Sequence, residues 1–547
     1  MEAAFFLYNG TSFTHTIICS IICIKIHIKK ENTMTFEKQE IVSATTLVRQ
    51  FSTYLSYITT SALKKIAIIR NNEMEAVVLP VSEYERLLKI EELSKKKSPK
   101  ELGTEPVGKL LMKYAIPAVI SMLAASVYNI VDRAFLGQGV GSLAIAGLAV
   151  TFPIMNLSAA FGAMIGAGGS TLLSIKLGQR DYETAERVLG NIVSLNVVIG
   201  FVFALLAIIF IDPILLFFGA SENTIEYARE YMLIILYGNI ICHLYHGLVN
   251  VQRVTGHPNK AMISTLMGVG LNVVLDWLCI MVLHMGIAGA AIATVTSQTV
   301  ATIYIVSQLC NKKDMIHLRK GIYEMKKRIV KNIFAIGISP FCLQFCACLV
   351  VIFINRGLRD HGGDLAIGAY GIVNGITFLF VMVVMGINQG MQPIAGYNYG
   401  AQQYDRVTKV LKYSVLYATI VMCCSFVLGE FFPTIPIKIF TNDPELTELA
   451  VEGMKIIVLM TPLVGFQIVT GNFFQSIGMA KKSIFLSVCR QMLFLMPLLL
   501  ILPNYFGTKG VWASITIADG ISVITAGVML WLFFKKGNFN QTDIDLT

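Results

Sequence analysis

Two carboxylates interrupt long apolar stretches of this chain: Asp132, which closes Val127-Tyr-Asn-Ile-Val-Asp132, and Asp276, which closes Leu271-Asn-Val-Val-Leu-Asp276. An ionised acid inside a bilayer is expensive unless it faces a cavity or takes up a proton, so each is a candidate functional group. Amides accompany them. Asn272 lies one helical turn before Asp276 and shares its face, Asn129 stands three residues before Asp132, and Asn250 falls late in the apolar segment that precedes the one holding Asp276. Carboxylate and amide oxygens suit protons and hard cations, which makes Asp132, Asp276, Asn272 and Asn250 the expected ion-coupling set. A lone Asn in a membrane helix serves equally as an interhelical hydrogen bond. The second half of the chain offers neutral groups instead, among them Gln344, Asn388, Gln389, Gln392, Gln467 and Asn472, and its one deep acid is Asp519. Ion coupling is therefore expected in the first half.

The elements that must position these residues follow from composition. The chain has 547 residues, 55% hydrophobic and only 14% charged, with a mean hydropathy of +0.66, a balance that excludes a water-soluble globular protein. Stretches free of Asp, Glu, Lys and Arg fill 134–175, 188–211, 332–355, 365–404 and 456–480, each long enough for the roughly 20 residues that cross a bilayer as helix. Apolar runs bounded by Gly, Pro and charge predict twelve spans, near 110–134, 143–174, 188–211, 229–252, 260–282, 287–310, 329–355, 365–393, 410–432, 447–475, 483–503 and 510–534. The eleven Cys are scattered and read as packing residues, without a metal or disulfide framework. His243 and His246 have no acidic companion and read as packing or pore-lining. Gly162-Ala-Met-Ile-Gly166-Ala-Gly168-Gly169 permits close helix approach. No Walker motif is present. The expectation is secondary transport, neither an enzyme nor a cofactor protein.

Loop charge predicts the orientation. Alternate loops carry Lys176, Arg180 and Arg187; Arg253 and Lys260; the basic run from Lys312 to Lys331; Arg406, Lys409 and Lys412; Lys481, Lys482 and Arg490; and Lys535 and Lys536. By the positive-inside rule this set and both termini are cytoplasmic, in the plasma (inner) membrane. On this assignment Lys and Arg avoid the spans.

The halves also resemble each other. Gly178-Gln-Arg-Asp-Tyr182-Glu-Thr-Ala-Glu-Arg-Val-Leu189 aligns without gaps on Gly400-Ala-Gln-Gln-Tyr404-Asp-Arg-Val-Thr-Lys-Val-Leu411, and Asn250, Gly256 and Lys260 fall on Asn472, Gly478 and Lys482 at the same offset of 222. Duplication of a six-helix unit explains both matches, the repeats being related by an axis along the membrane normal.

Leu102-Gly-Thr-Glu-Pro-Val-Gly-Lys-Leu-Leu111, Tyr114-Ala-Ile-Pro117, Val127-Tyr-Asn-Ile-Val-Asp132, Leu177-Gly-Gln-Arg-Asp181, Val254-Thr-Gly-His-Pro-Asn-Lys260 and Leu271-Asn-Val-Val-Leu-Asp276 together resemble the multidrug and toxic compound extrusion (MATE) family over residues 101–536. The resemblance implies an all-α polytopic membrane protein, with twelve transmembrane helices in two six-helix pseudo-symmetric lobes facing a central cavity. It also implies export of lipophilic organic cations in antiport with protons or sodium. It places the family's first-helix acid on Asp132, its fifth-helix pair on Asn272 and Asp276, and its fourth-helix amide on Asn250. Where the fifth-helix motif commonly continues with Pro, this chain has Trp277. Asn129, Phe152, Met155 and Phe161 are the expected substrate-cavity groups, the last three through cation–π and soft apolar contacts. The rival within the superfold is a lipid-linked oligosaccharide flippase, which calls for a more basic cavity.

Ahead of the membrane part lies a small α+β soluble module. Ser43 caps a helix with Leu47, Phe51, Leu55 and Ile58 on one face; 64–70 and 74–79 read as strands turning at Asn71-Asn72; Ser82-Glu-Tyr-Glu85 opens a second helix. Val42-Ser-Ala-Thr-Thr-Leu47, Ile68-Ile-Arg-Asn71 and Val77-Val-Leu-Pro-Val-Ser-Glu-Tyr-Glu85 resemble the prevent-host-death antitoxin family. That resemblance implies DNA binding through Arg49, Lys64 and Lys65, with homodimer contact, and as an alternative function a membrane-tethered regulator. The expected division is 1–33 unassigned, 34–94 antitoxin-like module, 95–108 basic linker, 109–310 first lobe, 311–328 cytoplasmic inter-lobe loop, 329–536 second lobe and 537–547 tail.

Overall fold

A computed structural model describes residues 21–24, 40–60, 65–70, 73–84, 100–535 and 537. The chain divides into two units, Met1–Lys97 and Ser98–Thr547.

The described residues of the first unit form a four-stranded sheet, two short helices and the start of a further helix at 81–84. Strands β1 (Ile21–Ile24), β2 (Ile41–Ser43), β3 (Ile66–Arg70) and β4 (Glu73–Pro80) lie in the order β1-β4-β3-β2. β3 and β4 are antiparallel, and β2 runs parallel to β3. The unassigned amino-terminal stretch thus contributes an edge strand, Ile21 to Ile24 pairing with Pro80 to Val77. Ser43 caps the first helix as expected, its hydroxyl accepting from Thr46 N at 3.1 Å. One continuous amphipathic helix was expected, but Gln50 breaks it into α1 (Ala44–Arg49) and α2 (Phe51–Thr59). The break shifts the helical phase, so Ile58 is buried in the small core of Val42, Ile66, Ile68 and Val78 while Phe51 is exposed. Arg49 is exposed at the end of α1, and Lys65 precedes β3. Lys64, the Asn71-Asn72 turn and most of the helix expected after Ser82 lie outside the described residues.

Among the described residues of the second unit nine single helices are long and apolar enough to cross a membrane, and two bent pairs bring the count to eleven. One of the nine, Lys327–Gly400, has 74 residues and is broken at Gly363, φ 66° and ψ −162°. At 1.5 Å per residue a straight helix of that length would be about 110 Å long, far beyond one bilayer, so it counts as spans 7 and 8. The twelve spans are then Val107–Gly139, Ser142–Gly178, Tyr182–Ile209, the pair Ile225–Tyr237 and Asn239–Val254, Pro258–Val282, Gly286–Leu309, 327–362, 364–400, Tyr404–Phe431, the pair Pro444–Val458 and Thr461–Ser476, Ala480–Ile501 and Pro503–Lys535. Span 1 begins before the expected end of the linker. Glu101–Thr104 is already a helical turn, with Leu102 fully buried in the core of the second lobe and its carbonyl accepting from Asn398 Nδ2 at 2.8 Å.

The repeat is visible in the backbone. Spans 2 and 8 end at Gly178 and Gly400, and spans 3 and 9 begin at Tyr182 and Tyr404. Arg180 and Gln402, also 222 apart, both sit in the left-handed region at φ 60° and 58°, which costs a non-glycine residue roughly 1–2 kcal/mol. The bends in spans 4 and 10 match too, 58° and 55°. The close crossings obey the same offset. A Cβ on Gly178 would run into the Tyr397 carbonyl, and one on Gly400 into the Ile175 carbonyl. Gly168 meets span 7 at Gly337 as Gly390 meets span 1 at Ala115. Lobe thus meets lobe through pairs 1–8 and 2–7 at mid-span and through spans 2 and 8 at the ends bearing Lys176 and Arg180. There Ser174 Oγ donates to Pro393 O at 2.8 Å, and Arg406 Nη2 donates to Glu105 O at 2.7 Å.

The inter-lobe loop is fastened to the first lobe. Met315, Ile316 and Ile322 are buried, Asn191 Nδ2 donates to Glu324 O at 3.0 Å, and Glu186 is ion-paired with Arg319.

Candidate functional site

Span 1 carries Tyr128 and Asp132 one helical turn apart, and spans 5 and 6 bring Asn272, Asp276 and Thr294 against them. Asp276 is fully buried and Asp132 is 6% exposed, and the two carboxylates interact electrostatically. Oriented so that both its polar atoms are satisfied, the Asn272 amide donates to Asp276 Oδ2 at 2.9 Å and accepts from the Thr294 backbone N–H at 3.2 Å. Tyr128 hydrogen-bonds Thr294 and lies beside both acids. The other Asp276 oxygen, Oδ1, is buried with no hydrogen-bond partner. Trp277 does not leave span 5 regular: the helix widens into π-type turns over Trp277–Val282, directly after the acid. Such bulges recur at functional sites, and here one takes the place of a proline kink.

The cluster borders a cavity of about 440 Å³ whose wall includes Tyr128, Asn272, Thr294, Ser297, Gln298, Asn250 and Arg253 from the first lobe, and Gln344 and Gln389 from the second. That volume is in the range of small-molecule pockets, roughly 300–1,000 Å³. Ala159, Ala160 and Ala163 of span 2 form part of the apolar wall. Neither carboxylate is on the wall itself; Tyr128 and Asn272 stand between the acids and the open space.

The remaining expected residues are distributed differently. Asn250 is on the wall, but its Oδ1 accepts from Arg253 Nη1 at 2.8 Å and its Nδ2 donates to His246 O at 3.1 Å, and no hydrogen bond joins it to either acid. Phe152, Met155 and Phe161 do not line the cavity. Phe152 is 48% exposed, Met155 packs into apolar clusters that join span 2 to spans 1, 3, 4, 5 and 6, and the Phe161 ring lies 4.9 Å from that of Phe341 and 5.9 Å from that of Phe203. The Asn129 side chain lies outside the described residues. His243 is a packing residue, bonded to Ser158 Oγ at 3.0 Å across spans 4 and 2.

Two basic residues expected in cytoplasmic loops lie inside spans. Arg253, in the last turn of span 4, is buried on the cavity wall, so Lys and Arg do not all avoid the membrane part. Arg490 lies in the π-type turns of span 11 and binds Asp519 of span 12, Nε to Oδ1 2.7 Å. The second lobe's deep acid is thereby held by a cation, while no Lys or Arg is ion-paired with Asp276 among the described residues. Tyr128, Thr294 and Arg253 were missed in the sequence. For Tyr128 the signal existed, since it precedes Asp132 by four residues on a helix.

Twelve spans in two pseudo-symmetric lobes, with an acid pair beside a cavity at their junction, define a polytopic membrane transporter. The MatE family profile matches residues 117–278 and again 336–501, and the chain belongs to that family. Among similar curated proteins, the multidrug export protein MepA of Staphylococcus haemolyticus (strain JCSC1435) is 27% identical over 420 residues, 76% of this chain and 92% of MepA. MepA of Staphylococcus aureus (strain MSSA476) is 25% identical over 443 residues, 80% and 97% of the two chains. Among solved structures, the outward-facing conformation of a multidrug resistance MATE family transporter of the MOP superfamily superposes with a TM-score of 0.77 at 24% identity, covering 82% of this chain and all of that one.

Proposed function

We propose that the chain exports lipophilic organic cations in exchange for protons or sodium ions, coupled through Asp132 and Asp276 of the first lobe. The observation that carries this reading is the contrast between the lobes. Asp276 meets the cavity through Asn272 with one oxygen unsatisfied, whereas Asp519 is neutralised by Arg490. The multidrug export activity of the MepA relatives agrees.

With both acids ionised, a cation in the cavity is held by charge and by the apolar wall. A unit charge about 4 Å from a carboxylate at an effective dielectric near 20 gains about 4 kcal/mol, on the order of a thousandfold in affinity. A proton or sodium ion taken up at the pair from outside removes that attraction, and the organic cation leaves. Each occupant must favour one arrangement of the lobes for exchange to follow, and the glycine crossings of spans 2 and 8 form the end that must part for the return. By the positive-inside rule the loop charges favour a cytoplasmic position for that end and for both termini. A flippase for a polyanionic lipid-linked sugar is less well served, because among the described residues Arg253 is the only Lys or Arg on the cavity wall.

The test is dye transport in everted vesicles under separately imposed pH and sodium gradients, with wild type beside Asp276→Asn. Wild type is expected to respond to at least one gradient and the variant to neither. A variant that pumps as well as wild type removes Asp276 from the mechanism.

A further inference from the structure

The coupling chemistry makes no use of Arg253. Arg253 is 5% exposed, one of the five guanidinium donors binds Asn250 Oδ1 at 2.8 Å, and among the described residues it forms no ion pair. A cation in the membrane without a counter-charge is costly unless it faces water or a ligand, and Arg253 faces the cavity. Its height is fixed from the side. Ser264 Oγ donates to the Oε1 of neighbouring Gln252 at 2.9 Å, which sets Arg253 level with Thr265 of span 5. From Thr265 the same wall of span 5 runs to Asn272 beneath the acid pair, seven residues or about 10 Å along the helix. The cavity is therefore polarised, with the Arg253 guanidinium toward one end, the carboxylate pair behind the other, and neutral donors such as Gln298 and Gln344 also on the wall.

We propose that Arg253 recognises an anionic group of the transported molecule, so that the substrates best matched to the cavity are zwitterions: apolar ring systems with a cationic nitrogen directed at the acids and a carboxylate roughly 10 Å away. This rests on reading the cavity as the substrate site. It adds a specificity residue that plays no part in ion coupling. A planar guanidinium binds a carboxylate through two parallel hydrogen bonds, and removal of one charge-assisted contact of this kind lowers affinity roughly 10- to 100-fold.

The test is equilibrium binding without any gradient, so that a failure of coupling does not affect it. Fluorescence polarisation is read for rhodamine B, which carries a carboxylate and a delocalised cation, and for its ethyl ester, the same cation without the acid, each titrated with the purified full-length chain at pH 8. In Arg253→Gln the affinity ratio of acid to ester is expected to fall roughly 10- to 100-fold, with the ester changed by less than about threefold. Arg253→Lys, which keeps the charge without the fork, should retain part of the ratio. A ratio equal in wild type and Arg253→Gln overturns the inference. So does a parallel loss of both dyes, which marks Arg253 as a structural residue. Gradient-driven transport of the ester and its loss in Asp276→Asn bear on the coupling reading alone.

Discussion

Replacing Gly178 by Ala loads the closed end of the molecule at its tightest crossing. Gly178 is the last residue of span 2, and a methyl there would overlap the Tyr397 carbonyl oxygen and stand 2.9 Å from the Ala401 nitrogen. Both obstacles are backbone, so no change of rotamer relieves them. Overpacking of this kind costs about 1–3 kcal/mol. Ala also favours helix over Gly by about 1 kcal/mol, but that gain is common to both arrangements of the lobes and cancels between them. The arrangement seen here should therefore lose about 1–3 kcal/mol relative to one parted at this end, a shift of roughly 5- to 150-fold. One cysteine at Ala163, on the cavity wall, in a background without the eleven native cysteines, reports it. In inside-out vesicles its labelling by a membrane-impermeant maleimide should accelerate on Gly178→Ala. Gly400→Ala should act in the same direction, since its methyl would overlap the Ile175 carbonyl at the pseudo-equivalent contact, and the two effects should not add because they strain one crossing. Unchanged labelling in both variants, with the protein folded and inserted, would refute the view that this crossing is what opens.

Two further perturbations test the frame around the site. Arg490→Met leaves the Asp519 carboxylate buried without its cation and should destabilise the chain by about 3–5 kcal/mol, read as a lowered melting temperature in detergent. Arg490→Met combined with Asp519→Leu should recover most of that loss, and a double variant as unstable as the single one contradicts the pairing. Glu186→Gln removes the carboxylate that holds Arg319. With Arg319 47% exposed, the pair contributes about 0.5–1 kcal/mol, so trypsin should cut the loop at Arg319 and Lys320 roughly two- to fivefold faster in the variant, and an equal rate shows that the loop is anchored elsewhere.

The twelve spans, the six-helix repeat and the acids were legible because each rests on a local signal: an uninterrupted apolar run, a gapless motif at one offset, a carboxylate where no carboxylate is cheap. Arg253 and Arg490 were misplaced for a related reason. A basic residue near the end of an apolar run reads as the first charge of a loop: for Arg253 only the bent span 4 shows that the helix continues past it, whereas Arg490 reads with the loop charges although it falls within the expected span 483–503, and it sits in the π-type turns of span 11. The aromatic cavity groups failed on geometry. Phe152, Met155 and Phe161 share span 2 with the true wall residues Ala159, Ala160 and Ala163, but which face of a uniformly apolar helix turns inward is settled by its neighbours. In the amino-terminal unit, Ser43 announced its cap, whereas the break at Gln50 left no polar mark in the pattern.

The duplication explains why the backbone is symmetric and the chemistry is not. Equivalent left-handed residues, bends and glycine crossings occur in both lobes because they serve one shared task, closing lobe against lobe, and that task needs both copies. The ion-coupled site proposed for the first lobe needs only one. Two sites with independent carboxylate pairs would let an ion occupy one lobe while a substrate occupied the other, and mutual exclusion, on which exchange depends, would be lost. In the second lobe the deep acid is tied to Arg490 at 2.7 Å and becomes an internal brace between spans 11 and 12. In the first, Arg253 lies far enough along the cavity to leave Asp276 to Asn272 alone. The same two residue types thus give a salt bridge where they touch and a polarised binding chamber where they do not.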